Sequence, residues 1–227
     1  MELPFEKQRK IVVEELKRLG IIRSEAVERA LLSVPRELFV PEDLRKLAYL
    51  DQPLPIGHGQ TISAIHMVAE MTEELDARPG HRVLEVGAGS GYQAAVLAEI
   101  VCKAGGERRG HVFTIERIPE LAEFARRNLG AAGYSDCATV VVGDGTLGLP
   151  EKAPFDRIIV TAAAPDVPPP LVEQLANGGR LVIPVGDLFV QRLLVLQKDS
   201  EGKISRRYGA ECVFVPLIGR YGWRFRP

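Results

Sequence analysis

The segment Leu84-Glu85-Val86-Gly87-Ala88-Gly89-Ser90-Gly91-Tyr92 constrains the fold more than any other stretch of the chain. A β-branched, apolar run leads into three alternating glycines, and Gln93-Ala94-Ala95 then opens a helical pattern. Glycine tolerates positive φ, so such a turn can be tight and leave bare backbone open to a ligand. Beyond residue 80 this texture recurs: β-branched runs at 83–86, 112–116, 139–143, 157–162, 180–185, 193–197 and 212–217 predict seven strands. Helical stretches near 92–101, 119–130 and 169–176 link the first five, the pattern of βαβ units on a parallel sheet. Only residues 198–210 separate the last two runs, which predicts an antiparallel C-terminal strand pair.

The region before the first of these strands reads differently. Ile11, Val12, Leu16 and Leu19 approach helical spacing and stop at Gly20; Ser24 can cap a second helix carrying Val27, Ala30, Leu31 and Val34, which ends at Pro35. Residues 51–60, with two prolines and two glycines, predict an ordered irregular loop. A third helix places Ala64, Met67, Val68, Met71 and Leu75 on one face, with Thr61 or Ser63 as its cap. The expected organisation is a helical and active-site portion, 1–79, forming one compact unit with a ligand-binding α/β portion, 80–227.

Bulk chemistry narrows the function classes. With 29 basic and 30 acidic residues the formal charge is -1, so no global positive field draws the chain to nucleic acid. The one dense basic cluster, Arg108-Arg109, lacks interleaved aromatic residues and reads as a solvated loop. Cys102, Cys137 and Cys212 are odd in number and show no CxxC spacing, suggesting neither a disulfide framework nor a zinc site. The histidines His58, His66, His81 and His111 lack the i, i+4 spacing of helical metal ligands, and no metal is expected. With no signal-like or membrane-spanning apolar stretch, the expectation is a cytoplasmic monomer without membrane contact.

Charge at the strand ends selects the ligand. Read from Gly89, the segment Gly89-Ser90-Gly91-Tyr92-Gln93-Ala94 satisfies a dinucleotide fingerprint, so an NAD-dependent oxidoreductase is one reading. Against it, Glu85 lies two residues before Gly87, where its carboxylate would repel a pyrophosphate but suit a cationic, amino-acid-bearing ligand such as S-adenosylmethionine. Glu116 ends the second expected strand and can accept from both ribose hydroxyls. Asp144 follows the third, where it could accept from an adenine amino group with the Gly145 backbone close by. Ligands of α/β sheets sit at such carboxyl ends. The surplus spacing between Gly91 and Glu116 falls in 102–110 and reads as a loop insertion. These features together predict a Rossmann-like, class I S-adenosylmethionine methyltransferase fold: a seven-stranded, mostly parallel sheet with an N-terminal helical extension.

The acceptor is carried by a second block, Gly59-Gln60-Thr61-Ile62-Ser63-Ala64-Ile65-His66-Met67, which a minimal nucleotide-binding fold does not need. Locally, Ser63 reads as a helix cap, and it lacks the base and orienter of a nucleophilic triad. With this block, the glycine turn, Val142-Gly143-Asp144-Gly145, Ala162-Ala163-Ala164-Pro165 and Phe214-Val215-Pro216-Leu217, nearly the whole chain resembles the protein-L-isoaspartate O-methyltransferases. The resemblance implies methyl transfer from S-adenosylmethionine to the carboxylate of L-isoaspartyl residues in damaged proteins and peptides. It implies that Ser63 is the essential serine and that Thr61 and Ile62 contribute to the cofactor pocket. With Gln60 and Ser63 they are expected to join Glu85, Gly87, Gly89, Ser90, Gly91, Glu116, Asp144 and Gly145 around the cofactor, and Ser63 is expected to aim the acceptor, with His66 or nearby backbone ordering the peptide. Ile65 stands where the family usually has proline, and Asn177 replaces another frequent proline. A methyltransferase for a different acceptor is the remaining alternative, since folds do not fix substrates.

Overall fold

The computed structural model describes residues 3–106 and 109–224, so Arg108 and part of the expected insertion lie outside the described residues. Helix α1 (Phe5–Arg18) buries Val13 and Leu16 on one face. Helix α2 (Glu25–Ser33) begins at Ser24, whose hydroxyl accepts from the Val27 N–H at 3.3 Å, so the predicted cap forms. Two short 3-10 segments, Arg36–Leu38 and Glu42–Leu47, lead to a hairpin of β1 (Leu54–Gly57) and β2 (Gln60–Ile62). The expected irregular loop is thus partly ordered as antiparallel strands. Leu54, Ile56 and Ile62 supply its buried face, and its tip turns through positive φ at Gly57, His58 and Gly59.

Helix α3 (Ile65–Leu75) follows, with Ala64 at its N-cap and no capping bond from a side chain of its own segment. Neither Thr61 nor Ser63 caps it, which corrects the local reading of both. One of its N-terminal amides is satisfied instead from a distance: Asp51 Oδ1 accepts from the His66 N–H at 2.9 Å.

The main sheet is built from β3 (Arg82–Val86), β4 (His111–Glu116), β5 (Ala138–Val142), β6 (Phe155–Val160), β7 (Leu175–Gly186), β8 (Gln191–Lys198) and β9 (Ile204–Cys212). Its order is β5-β4-β3-β6-β7-β8-β9, parallel through β7, with β8 antiparallel to both its neighbours. Helices α4 (Tyr92–Val101) and α5 (Pro119–Ala131) make the first crossovers, and α6 (Pro169–Glu173) precedes β7. Alternation along each strand feeds two core layers. Val83, Val112, Ile159 and Val182 join the helices α1 to α5, while Leu84, Ile115, Ile158 and Leu181 pack beneath α6 and the chain near Leu149 and Leu217.

Two expectations are corrected here. The last strand is Ile204–Cys212, an exposed edge strand, and not 212–217. Periodicity misplaced it because the apolar run Val213 to Leu217 serves another purpose: the Ala163 N–H donates to the Val215 carbonyl and the Leu217 N–H to the Ala163 carbonyl, both at 2.8 Å, as this run crosses the carboxyl end of the sheet. Second, Cys102 and Cys137 are joined by a disulfide, with Cα atoms 5.8 Å apart across 35 residues. The pairing comes from tertiary packing, because the end of α4 and the approach to β5 meet beside β4, and short-range cysteine spacing carries no trace of it. Cys212 is free and buried. Among the described residues no helix is long and apolar enough to cross a membrane, and no cluster could hold a metal ion.

Candidate active site

The chain runs outward from β3 to β5 and then returns to β6, so the strand order reverses between β3 and β6. At such a switch point the loops part and leave a crevice. A cleft opens there.

Its floor is the glycine turn. Gly87, Gly89 and Gly91 have φ of 101°, 53° and 87°, values that other residues rarely adopt. At Gly87 a Cβ would also lie 2.5 Å from Thr161 Oγ1, whose hydroxyl donates to the Gly87 carbonyl at 2.7 Å. Gly91 ends the turn as the N-cap of α4. Glu116, at the end of β4, braces the turn: Oε2 accepts from the Gly89 N–H at 2.9 Å and Oε1 from the Ile118 N–H at 3.0 Å. Each oxygen keeps a further lone pair for a ligand hydroxyl. Gly145 forms part of the wall, where a Cβ would run into Val86 Cγ1 at 2.4 Å.

Glu85 is the electrostatic anomaly. It is fully buried, and neither carboxyl oxygen meets a hydrogen-bond partner. Burial pushes its pKa up to about 8; the Thr114 hydroxyl on the adjacent strand offsets part of that rise, and the Glu116 charge adds to it. The side chain does not line the cleft, although its neighbours Val86 and Gly87 do. An orphaned acid beneath the glycine turn, beside Glu116, fits a cationic ligand. It does not fit a pyrophosphate, and Arg117 is the one basic residue among the described lining residues.

Asp144 is not brought to the cleft wall. Its Oδ1 accepts from the Thr146 N–H and hydroxyl at 2.9 and 2.7 Å, and its Oδ2 from the Arg220 N–H at 2.8 Å, so it fastens the C-terminal segment to the end of β5. The asparagine Asn128 braces the turn from outside, donating to the Ser90 carbonyl at 2.9 Å.

Opposite the glycine turn, Gln60, Thr61, Ile62 and Ser63 line the same cleft. Among the described residues the Ser63 hydroxyl meets no hydrogen-bond partner, and Asp51 supplies a capping contact to α3. Asp51 also holds His66, with Oδ2 3.0 Å from Nδ1. His66 lies outside the lining, partly exposed at the edge of the Ser63 turn. The fourth side is Val215, Pro216, Leu217 and Ile218, the run that sequence periodicity misread as a strand. Met71, Gln93 and Thr161 also line the cleft. Of these, Met71 was legible only as a helix-core residue, and nothing local marked Thr161.

The model of the Protein-L-isoaspartate(D-aspartate) O-methyltransferase (PCMT) family matches residues 7–222. This chain belongs to that family. A protein-L-isoaspartate O-methyltransferase of Staphylothermus marinus is 66% identical over 224 residues, covering 99% of this chain and 100% of the relative. One from Hyperthermus butylicus is 65% identical over 222 residues, covering 97% and 92%. A crystal structure of the Plasmodium falciparum family member, in complex with S-adenosyl-L-homocysteine, superposes with a TM-score of 0.82 at 30% identity, covering 92% of this chain and 98% of that one. The enzyme class follows from membership: the chain is an O-methyltransferase on the α/β, Rossmann-like fold described above. Within that family frame the cleft has two unlike walls, a glycine turn backed by acids and a serine turn with a free hydroxyl.

Proposed function

We propose that this family member transfers the methyl group of S-adenosylmethionine to the free carboxylate of L-isoaspartyl residues in damaged proteins and peptides. The observation that carries the reading is the meeting of the Gln60 to Ser63 turn and the Gly87 to Ser90 turn in one cleft, in a chain that matches the family from residue 7 to residue 222. On this reading Gly87, Gly89, Ser90, Gly91, Glu116 and Gly145 hold the donor, together with Gln60, Thr61, Ile62 and the backbone of Ser63, while Glu85 acts from beneath the glycine turn and Asp144 only through the C-terminal segment it fastens. The donor supplies an electrophilic methyl on a sulfonium, and its positive charges answer the Glu116 carboxylate and favour ionisation of Glu85 on binding. No metal is required.

The chemistry asks little in the way of proton transfer. An acceptor carboxyl has an ordinary pKa near 4, so it is ionised at neutral pH and no general base is needed. A carboxylate oxygen forms the new O–CH3 bond as the S–CH3 bond breaks, and the bonding pair remains on sulfur. Holding that oxygen in line is then the main task of the protein. Ser63, the catalytic residue of this scheme, donates a hydrogen bond that aims the acceptor, and His66, steadied by Asp51, orders the peptide at the cleft edge. The apolar run from Val215 to Ile218 keeps water from the reacting atoms. The resulting ester collapses to a succinimide with loss of methanol.

Residues 1–79 supply the N-terminal helices and the substrate and active-site loop, residues 80–227 the donor-binding fold of the same unit, and the enzyme works as a cytoplasmic monomer whose partners are its substrate polypeptides, without nucleic acid or membrane. The test offers methyl-labelled S-adenosylmethionine with paired peptides that differ only in aspartyl or isoaspartyl linkage. Base-labile label confined to the isoaspartyl peptide is expected. Equal labelling of both peptides, or of neither, contradicts the proposal.

A further inference from the structure

The segment joining α2 to β1 contributes a charged side chain to the protein interior. Arg36 follows Pro35 in a 3-10 turn and has no exposed surface. It is absent from the ion pairs of the described residues, its Nη1 meets no hydrogen-bond partner, and burial opposes its charge. A guanidinium placed so is costly to desolvate, and an apolar residue of similar volume would fill the same space without that cost.

What Arg36 does hold is specific. Its Nε donates to the Ala48 carbonyl at 2.8 Å, and its Nη2 donates to the Ser63 carbonyl at 2.8 Å. The guanidinium carbon lies 4.9 Å from the centre of the Tyr92 ring, within cation–π range. Ser63 and Tyr92 both line the cleft, Ser63 just after β2 and Tyr92 at the start of α4, whereas Arg36 lies outside it. The planar fork of arginine spans separated acceptors in a fixed geometry, which the single ammonium of lysine does not reproduce. Asp51 secures the chain beyond Ser63 through the His66 N–H, and the hydroxyl of Ser63 itself is unheld. The Ser63 peptide is therefore fixed on one side by Asp51 and on the other by Arg36.

We infer that Arg36 is a positioning residue for methyl transfer: by gripping the Ser63 carbonyl it sets where the Ser63 hydroxyl points, and it registers the serine turn against Tyr92 and the glycine turn. The inference rests on the proposed role of Ser63 in aiming the acceptor. It also gives the N-terminal extension a part in catalysis, since the minimal cofactor fold has no counterpart of the 36–48 segment. Displacement of a catalytic group by about 1 Å can cost on the order of a hundredfold in rate, so loss of this grip should be visible in kcat.

The test is a double-mutant cycle on the full chain with an isoaspartyl peptide, using Arg36→Met, Ser63→Ala and the combined variant. S-adenosylhomocysteine affinity is measured in parallel as a check that the donor side is intact. With Ser63 present, Arg36→Met is expected to lower kcat by about tenfold or more, with S-adenosylhomocysteine affinity within about threefold of the parent. In the Ser63→Ala background the same change should cost less than about threefold, because there is no hydroxyl left to misdirect. An equal loss in both backgrounds, or an unchanged kcat, overturns the inference. Arg36→Lys, which keeps the charge and can keep one carbonyl contact, should fall between Met and Arg, and it carries the same comparison if Arg36→Met does not fold. A parent enzyme that labels neither peptide would contradict the functional proposal itself, a different result from additivity in the cycle.

Discussion

At the scale of single residues, the acids at the strand ends share a sequence signature but not a structural role. Glu116 braces the glycine turn, Asp144 fastens the C-terminal segment, and Glu85 is left buried without a partner. That division was not legible beforehand, because strand position places a side chain at the ligand edge without fixing its hydrogen bonds. Glu85 carries a measurable consequence. Its folded pKa is about 8, against an ordinary value of 4.5. Between those values the unfolded chain gives up a proton that the folded chain retains, so the residue lowers stability progressively as pH rises from about 4.5 to about 8. Glu85→Gln without ligand should therefore melt above the parent at pH 8, with the gap closing toward pH 5 in a thermal-shift series. The same variant should bind S-adenosylmethionine at least about tenfold more weakly by calorimetry, having lost a carboxyl that the bound cation draws into its ionised form. A melting gap independent of pH would contradict the assigned protonation state. The Ser63 turn teaches a similar point: a serine before a helix reads as a cap, and only the structure shows Asp51, 15 residues from His66, doing that work.

At the scale of elements, regular pieces were readable where one physical cause acts alone. The Ser24 cap, the glycine turn and the parallel strands follow from capping geometry, positive φ and buried apolar runs. The reading failed where apolar character served a wall rather than a strand, as from Val213 to Leu217, and where an exposed strand, β9, gained order by pairing with β8 in spite of its polar face. The Cys102–Cys137 bond was invisible for a different reason, since it depends on where α4 ends in space. Closing a loop of 35 residues contributes about 4 kcal/mol by restricting the unfolded chain. The double variant Cys102→Ala, Cys137→Ala should accordingly melt on the order of 10 °C below the oxidised parent in calorimetry. An unchanged Tm, with three titratable thiols in the unfolded parent, would show that the bond does not form in solution.

At the scale of the whole molecule, two halves of the sequence with different textures converge on one cleft. The α/β half supplies a floor of glycine backbone and acids; the N-terminal half supplies the Ser63 turn, held by Arg36 and Asp51. One core layer runs through both, from Val13 and Leu31 to Val83 and Ile159, so the cleft is set by packing between them. The glycine turn of the proposed donor side was readable as a turn at a strand end, while the proposed acceptor side depended on resemblance, because no local rule distinguishes a capping serine from one that aims a carboxylate. The central claim is that Ser63 aims an already ionised acceptor, and the most direct measurement is steady-state methylation of an isoaspartyl peptide by Ser63→Ala. We predict a fall in kcat of about a hundredfold with S-adenosylhomocysteine affinity within about threefold of the parent. Near-normal turnover with unchanged affinity would contradict it.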